Sequence, residues 1–191
     1  KSGVLVLLIA DGAALTGLAA AADQRCGGQI ARAIKAAGFT GRKDSTLDVV
    51  APGGGLTRAV LFGLGAAASL KPLELEMLGG AIAGVLQSFK AESAAIAVDA
   101  EIGKLPAREV AALIASGANL RVYSFNQYKS KKPEAKPLND ITLLTPDARG
   151  AKVSFAHFAA VAEGVHLARD LVNEPSNTLH PVEFAERMKP L

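Results

Sequence analysis

The sequence holds one cysteine, no tryptophan, two tyrosines and two methionines, and aromatic residues make up only 5% of it. With a single cysteine, Cys26 has no partner for an internal disulfide, and the expected location is a reducing cytoplasm. A catalytic thiol needs a partnering base. No histidine stands near Cys26 in the sequence, so it reads as an inert residue. Long apolar runs are missing too. Asp11, Gly63 to Gly65 and Asp99 break the longest stretches short of the ~20 residues that span a bilayer. Lys1 to Ala10 imitates a signal peptide, with a charge before an apolar run, but β-branched Val4, Val6 and Ile9 ending at Asp11-Gly12 fit a buried strand better. Nor does one sign of charge dominate. The 21 basic and 18 acidic residues leave a net charge of +3 and a pI near 9.1, a balance that argues for no particular polyanion.

What is present is a chain of 191 residues, half of them hydrophobic, which suits one domain plus an appended piece. A core short of aromatics must be built from Ala, Leu, Val and Ile, as in α/β layers. Val4 to Ala10 reads as a buried strand and Leu15 to Ala37 as helix interrupted at Gly27-Gly28, with Gly38 as its stop. Thr46 to Ala51 and Ala59 to Leu64 are strands joined by a hairpin loop at Pro52-Gly53-Gly54-Gly55. Pro72 opens a helix to Phe89 whose apolar positions Leu75, Leu78, Ile82, Val85, Leu86 and Phe89 form one stripe. Ala94 to Val98 is a further strand, Pro106 opens another helix, and Ile141 to Leu144 is the last strand. A long helix is expected over Lys152 to Leu171, ended by Asn173-Glu174-Pro175, with a domain boundary near Arg149-Gly150. A new helix opens after Pro181, and because the sequence stops soon afterwards we expect the part that begins there to be incomplete.

Few of the chemistry-bearing patterns outweigh their structural readings. Gly63-Leu64-Gly65-Ala66-Ala67-Ala68 has the G-x-G-x-x-A form of a dinucleotide turn. However, the next helix starts only at Pro72, so no helix N-terminus faces a phosphate there. Gly53 to Gly55 could cradle phosphate, but a loop between adjacent strands needs glycine for positive φ in any case. His157, His166 and His180 show no metal-ligand spacing, and the first two read as helix-surface or interface residues. Asp99 and Glu101 end a strand, where α/β proteins often hold catalytic acids, yet they read as structural. No G-x-S-x-G elbow supports a hydrolase triad. Lys129, Lys131, Lys132 and Lys136 lie in a proline-containing segment that reads as a solvated loop. Those lysines, with Tyr123, Phe125 and Tyr128 beside them, could also contact nucleic acid, although the aromatics more often anchor a helix end.

Two further segments carry a resemblance: Val122-Tyr123-Ser124-Phe125-Asn126-Gln127-Tyr128-Lys129-Ser130-Lys131-Lys132, and Ala168-Arg169-Asp170-Leu171-Val172-Asn173-Glu174-Pro175-Ser176-Asn177. Both resemble the leucine aminopeptidase (cytosol aminopeptidase) family. The first is similar to the tyrosine- and lysine-rich end of its N-terminal domain. The second is similar to the start of its catalytic domain, usually R-D-L-V-N-x-P-x-N. Ala59-Val60-Leu61-Phe62-Gly63-Leu64-Gly65 is similar to the family's central strand and G-L-G turn, so the resemblance runs along essentially the whole chain in order. Glu174 departs from it, standing where the family often has threonine.

The resemblance implies a macro-domain-like α/β domain, a layered mixed sheet flanked by helices, over residues 1–150. A connecting helix over 151–172 and the start of a truncated peptidase domain over 173–191 would follow. It also implies a hexameric parent enzyme that releases N-terminal residues from peptides. There a water bridging two divalent ions (zinc, manganese or magnesium) attacks the scissile carbonyl. The family holds those ions in G-K-G, F-D-S-G-G and N-T-D-A-E-G-R type stretches, none of which occurs here. No residue of this chain is therefore assigned as catalytic, cofactor-binding or metal-binding, and its expected role is assembly and access. The alternatives are a nucleotide or ADP-ribose module acting near Gly63 to Gly65, and DNA contact through Lys129 to Lys136.

Overall fold

A computed structural model describes residues 3–12, 15–130 and 138–189. Its elements are β1 (Val4–Ala10), α1 (Gly17–Arg25), α2 (Gln29–Ala37), β2 (Thr46–Gly53), β3 (Leu56–Gly65), α3 (Pro72–Ser88), β4 (Ser93–Ala97), α4 (Ala107–Val122), β5 (Asp140–Leu144), α5 (Ala148–Asn173) and α6 (Pro181–Met188). The strands form one five-stranded mixed sheet in the order β2-β3-β1-β4-β5. β1 runs parallel to β3 and β4, β4 runs parallel to β5, and only β2 is antiparallel to its neighbour, β3.

The central strands are continuously apolar because both their faces are covered. Successive side chains point to opposite faces. On one face Val6, Val60, Phe62, Leu64 and Ile96 meet Leu75, Ile82 and Leu86 of α3 and Val110 and Ile114 of α4. On the other, Leu7, Ile9, Ala59 and Leu61 meet Ala19 and Ala22 of α1 and Ile30 of α2. The result is the α/β sandwich that the composition predicts, with helices on both faces of a mixed sheet.

The glycine pair splits the first helical region into two helices, as the sequence predicts, with Gly28 in the left-handed region at φ 77°. β3 starts earlier than predicted and pairs through Leu56 with Gly53, so the hairpin turns on Gly54-Gly55 after an irregularity between Val50 and Gly53.

α3 and α4 lie close together because their contact is made of small residues. A Cβ at Gly117 would stand 1.7 Å from the Glu76 carbonyl oxygen, and one at Gly79 would stand 2.1 Å from that of Ile114. Ser116, 3% exposed, donates a 2.6 Å hydrogen bond to the Glu76 carboxylate across the same contact. α5 is capped by Asp147, whose carboxylate accepts the Gly150 N–H at 2.8 Å. It packs on α4 and buries Ala151 and Ala162. Exposed Val153 (72%) and Val172 (85%) are among its outward residues.

Candidate functional site at the helix junction

The polar side chains with the most shared partners lie where the segment after α4 meets the C-terminal turns of α5. Pro175 forbids helix at Glu174, which takes an extended conformation as the C-cap of α5 at ψ 135°. Tyr123, the residue that ends α4, sends its hydroxyl across to α5, where it donates to Asp170 Oδ1 at 2.7 Å. Its ring stacks on His166 with centroids 5.3 Å apart. The Arg169 guanidinium lies 5.4 Å from the same ring centroid and donates to the Leu120 carbonyl at 2.8 Å, supplying an acceptor at the end of α4 with a donor. Asn173 donates to the Arg169 carbonyl at 2.8 Å and to the Tyr123 hydroxyl oxygen at 3.4 Å.

A second layer lies beside it. Tyr128, whose ring is 5.7 Å from that of Phe125, donates its hydroxyl hydrogen to Glu174 Oε2. Glu174 Oε1 accepts from Arg187 of α6 at 3.1 Å. Arg187 also donates to Glu183 at 3.0 Å, one helical turn earlier. The electrostatics follow from this geometry. Burial, and then donation to Asp170, raises Tyr123 above an ordinary phenol. Donation to Glu174 raises Tyr128. The Tyr128 hydroxyl and then the Arg187 guanidinium hold the Glu174 carboxyl below its usual range, against a burial effect of opposite sign.

The residues brought together here are those of the two family-like segments. Tyr123 and Tyr128 are engaged with α5 and its cap, as helix-end anchors are, and their hydroxyls are occupied by carboxylates. Lys131, Lys132 and Lys136 lie outside the described residues. The side chains of this junction bind, orient and cap. None is a nucleophile set beside a base.

The remaining candidates are placed by the fold as follows. The glycine-containing end of β3 packs against the protein's own chain. Gly63 N–H donates to the Ser45 carbonyl at 2.8 Å, and Gly65 N–H to the Gly41 carbonyl at 2.9 Å. A Cβ at Gly63 would stand 2.0 Å from the Arg42 carbonyl oxygen. After Gly65 comes a single 3-10 turn, Ala67–Ser69, before α3 begins. Of the cavities beside it, the one lined by Thr16, Ala67, Asp99 and Glu101 among others measures about 140 Å³, below the roughly 300 Å³ at which ligand clefts start, and the one lined by Lys43, Phe62, Gly63, Leu70 and Glu74 among others measures about 370 Å³.

Asp99 caps α1, accepting the Leu18 N–H at 2.5 Å. The strand-end position alone did not reveal that role, because its partner lies 81 residues away in sequence. His157 is exposed and meets Phe158 edge-on. His180 accepts the Glu183 N–H at the start of α6, at 3.4 Å. Cys26 is 5% exposed, and burial, followed by the Asp23 carboxylate, pushes its thiol up. Among the described residues no three His, Cys, Asp or Glu side chains converge as a metal site would require, so the donor set here does not fit a dimetal centre. No described helix is long and apolar enough to cross a membrane.

Comparison with known proteins agrees with these observations. Residues 6–132 match the profile described as the cytosol aminopeptidase family, N-terminal domain. A probable cytosol aminopeptidase of Rhizobium etli (strain CIAT 652) is 44% identical over 196 residues, which cover 100% of this chain and 38% of that protein. Another, from Rhodopseudomonas palustris (strain ATCC BAA-98 / CGA009), is 38% identical over 189 residues, covering 97% and 37%. Among solved structures, a mutant tomato leucine aminopeptidase is similar with a TM-score of 0.78 and 25% identity, covering 100% of this chain and 39% of that one. The bottromycin maturation enzyme BotP in complex with Mn is similar with a TM-score of 0.71 and 26% identity, over 100% and 36%. The chain thus spans under two-fifths of the length of these relatives and, on the match of residues 6–132 and the identity along its whole length, it belongs to the cytosol aminopeptidase family, as that family's N-terminal domain.

Proposed function

We propose that this chain is the non-catalytic N-terminal part of a dimetal leucyl aminopeptidase, a hydrolase that releases N-terminal residues from peptides. The observation that carries the reading is the pairing of Tyr123 with Asp170 and of Tyr128 with Glu174. It joins the end of the family's N-terminal domain to the segment that resembles the start of its peptidase domain. In this reading residues 1–150 are the macro-like N-terminal domain, 151–172 the connecting helix and 173–191 the first part of the peptidase domain. The chain serves assembly and access in a cytoplasmic hexamer.

Two divalent ions, zinc, manganese or magnesium, would be held by the peptidase domain of the parent enzyme, and would supply water activation and carbonyl polarisation there. No step of that chemistry is assigned to residues of this chain. What its residues do is fix the direction in which the polypeptide leaves the α/β domain. DNA contact has one supporting feature, the run from Lys129 to Lys136, and the tyrosines beside it are engaged elsewhere.

The test is hydrolysis of leucine p-nitroanilide by the 191-residue chain and by a full-length polypeptide containing it, each with and without manganese. Activity confined to the longer polypeptide and stimulated by metal is expected; metal-dependent turnover by the 191-residue chain alone would overturn the reading.

A further inference from the structure

α6 is attached to the domain in an unusual sense. It buries no residue, and Val182 (67%), Phe184 (45%) and Met188 (39%) are exposed. Arg187, paired with Glu183 one turn earlier, reaches Glu174 from it. An eight-residue helix does not hold itself together in water, so its contacts with the rest of the chain matter. Among the described residues its side-chain hydrogen bond to the end of α5 runs through one carboxylate, that of Glu174. The Glu174 side chain is 2% exposed and Arg187 32%. A carboxylate so buried is tolerated only when paired and hydrogen-bonded. Here the partners come from two other parts of the chain: the Tyr128 hydroxyl from the segment after α4, and the Arg187 guanidinium from α6.

We propose that Glu174 is a positioning residue, a latch that holds α6 in one orientation against the end of α5 while its carboxylate is charged and releases α6 when it is protonated. The titratable and charged groups facing Glu174 are Tyr128 and Arg187, with Glu183 acting through Arg187 and the Thr178 hydroxyl hydrogen-bonded to Tyr128. Protonation removes the acceptor charge that both partners use. Because the folded-state carboxyl is held below its usual value, the latch is fully engaged above the ordinary carboxylate range. It is lost as pH falls through the lowered value.

Amide hydrogen exchange on the 191-residue chain tests the latch. In Glu174→Gln at neutral pH, the amides of residues 184–188 should lose protection to the level of an unstructured peptide, while those of β1 stay unchanged. Arg187→Met, which keeps the Tyr128–Glu174 bond, should release α6 equally. Glu183→Gln, which removes only the pair within the helix, should not. In the unaltered protein the Arg187 Nη1–H resonances, whose nitrogen donates to Glu174 Oε1 at 3.1 Å, should move with pH at the Glu174 titration, below the usual carboxylate range, a signature that packing alone would not produce. Retained α6 protection in both Glu174→Gln and Arg187→Met would overturn the proposal. So would equal loss in Glu183→Gln, or an Arg187 resonance that ignores pH. If Glu174→Gln does not fold, Arg187→Met and the pH titration decide.

Discussion

Tyr123 and Asp170, 47 residues apart in the sequence, share a 2.7 Å hydrogen bond between the end of α4 and the last turns of α5. The bond links the two separated motifs: the phenol of one donates to the carboxylate of the other. A double-mutant cycle with Tyr123→Phe and Asp170→Asn, read by urea unfolding, should show each single change destabilising and the second adding little to the first. Additive effects would mean that the two side chains act separately.

The α3–α4 contact predicts a larger penalty. Gly117→Ala places a methyl group against the Glu76 carbonyl, where backbone must move, and overpacking of this kind costs roughly 1–3 kcal/mol. At about 2–4 °C per kcal/mol for a chain of this size, the melting temperature should fall by several degrees. An unchanged melting temperature would show that the helices can separate freely.

Asp99 offers a test of a cap against a catalytic acid. Removing the acceptor of the Leu18 N–H in Asp99→Ala should cost about 1 kcal/mol, in the range of a lost N-cap, and should loosen the amides at the start of α1. If stability and α1 exchange are both unaffected, the cap is not what this carboxylate provides.

Cys26 should be sluggish. With its thiol pushed up by burial, the thiolate fraction at neutral pH is below that of free cysteine and rises only at higher pH. Labelling by a disulfide reagent should therefore be far slower in the folded protein than in urea. Equal rates would place the sulfur at the surface.

The glycine turn should bind no nucleotide. Residues 41–45 fill the space that a phosphate would need, so titration with ADP-ribose in a calorimeter should give no heat of binding. Gly63→Ala should disturb folding. Saturable heat would return the turn to the list of ligand sites.

The layered fold was legible in the sequence because its signals are local. Val4 to Ala10 and Ala59 to Leu64 are apolar on both faces, and Pro72 and Pro106 mark helix starts. The junction was legible only as two motifs. Nothing local says that Tyr123 faces Asp170 or that Tyr128 faces Glu174, because those contacts depend on how α5 lies along α4. The same holds for Asp99, whose strand-end position suits a cap and a catalytic acid equally until α1 is placed beside it. In the sequence Glu174 is a departure from the family pattern; the fold makes it a buried carboxylate with a cation and a phenol as partners.

The central claim is that the metal chemistry of the family lies outside these residues. The most direct measurement is metal content after equilibrium dialysis against manganese and zinc, comparing the 191-residue chain with a full-length polypeptide that includes it. The account predicts no stoichiometric metal on the 191-residue chain and two ions per full-length polypeptide. Stoichiometric, saturable metal on the 191-residue chain would contradict it.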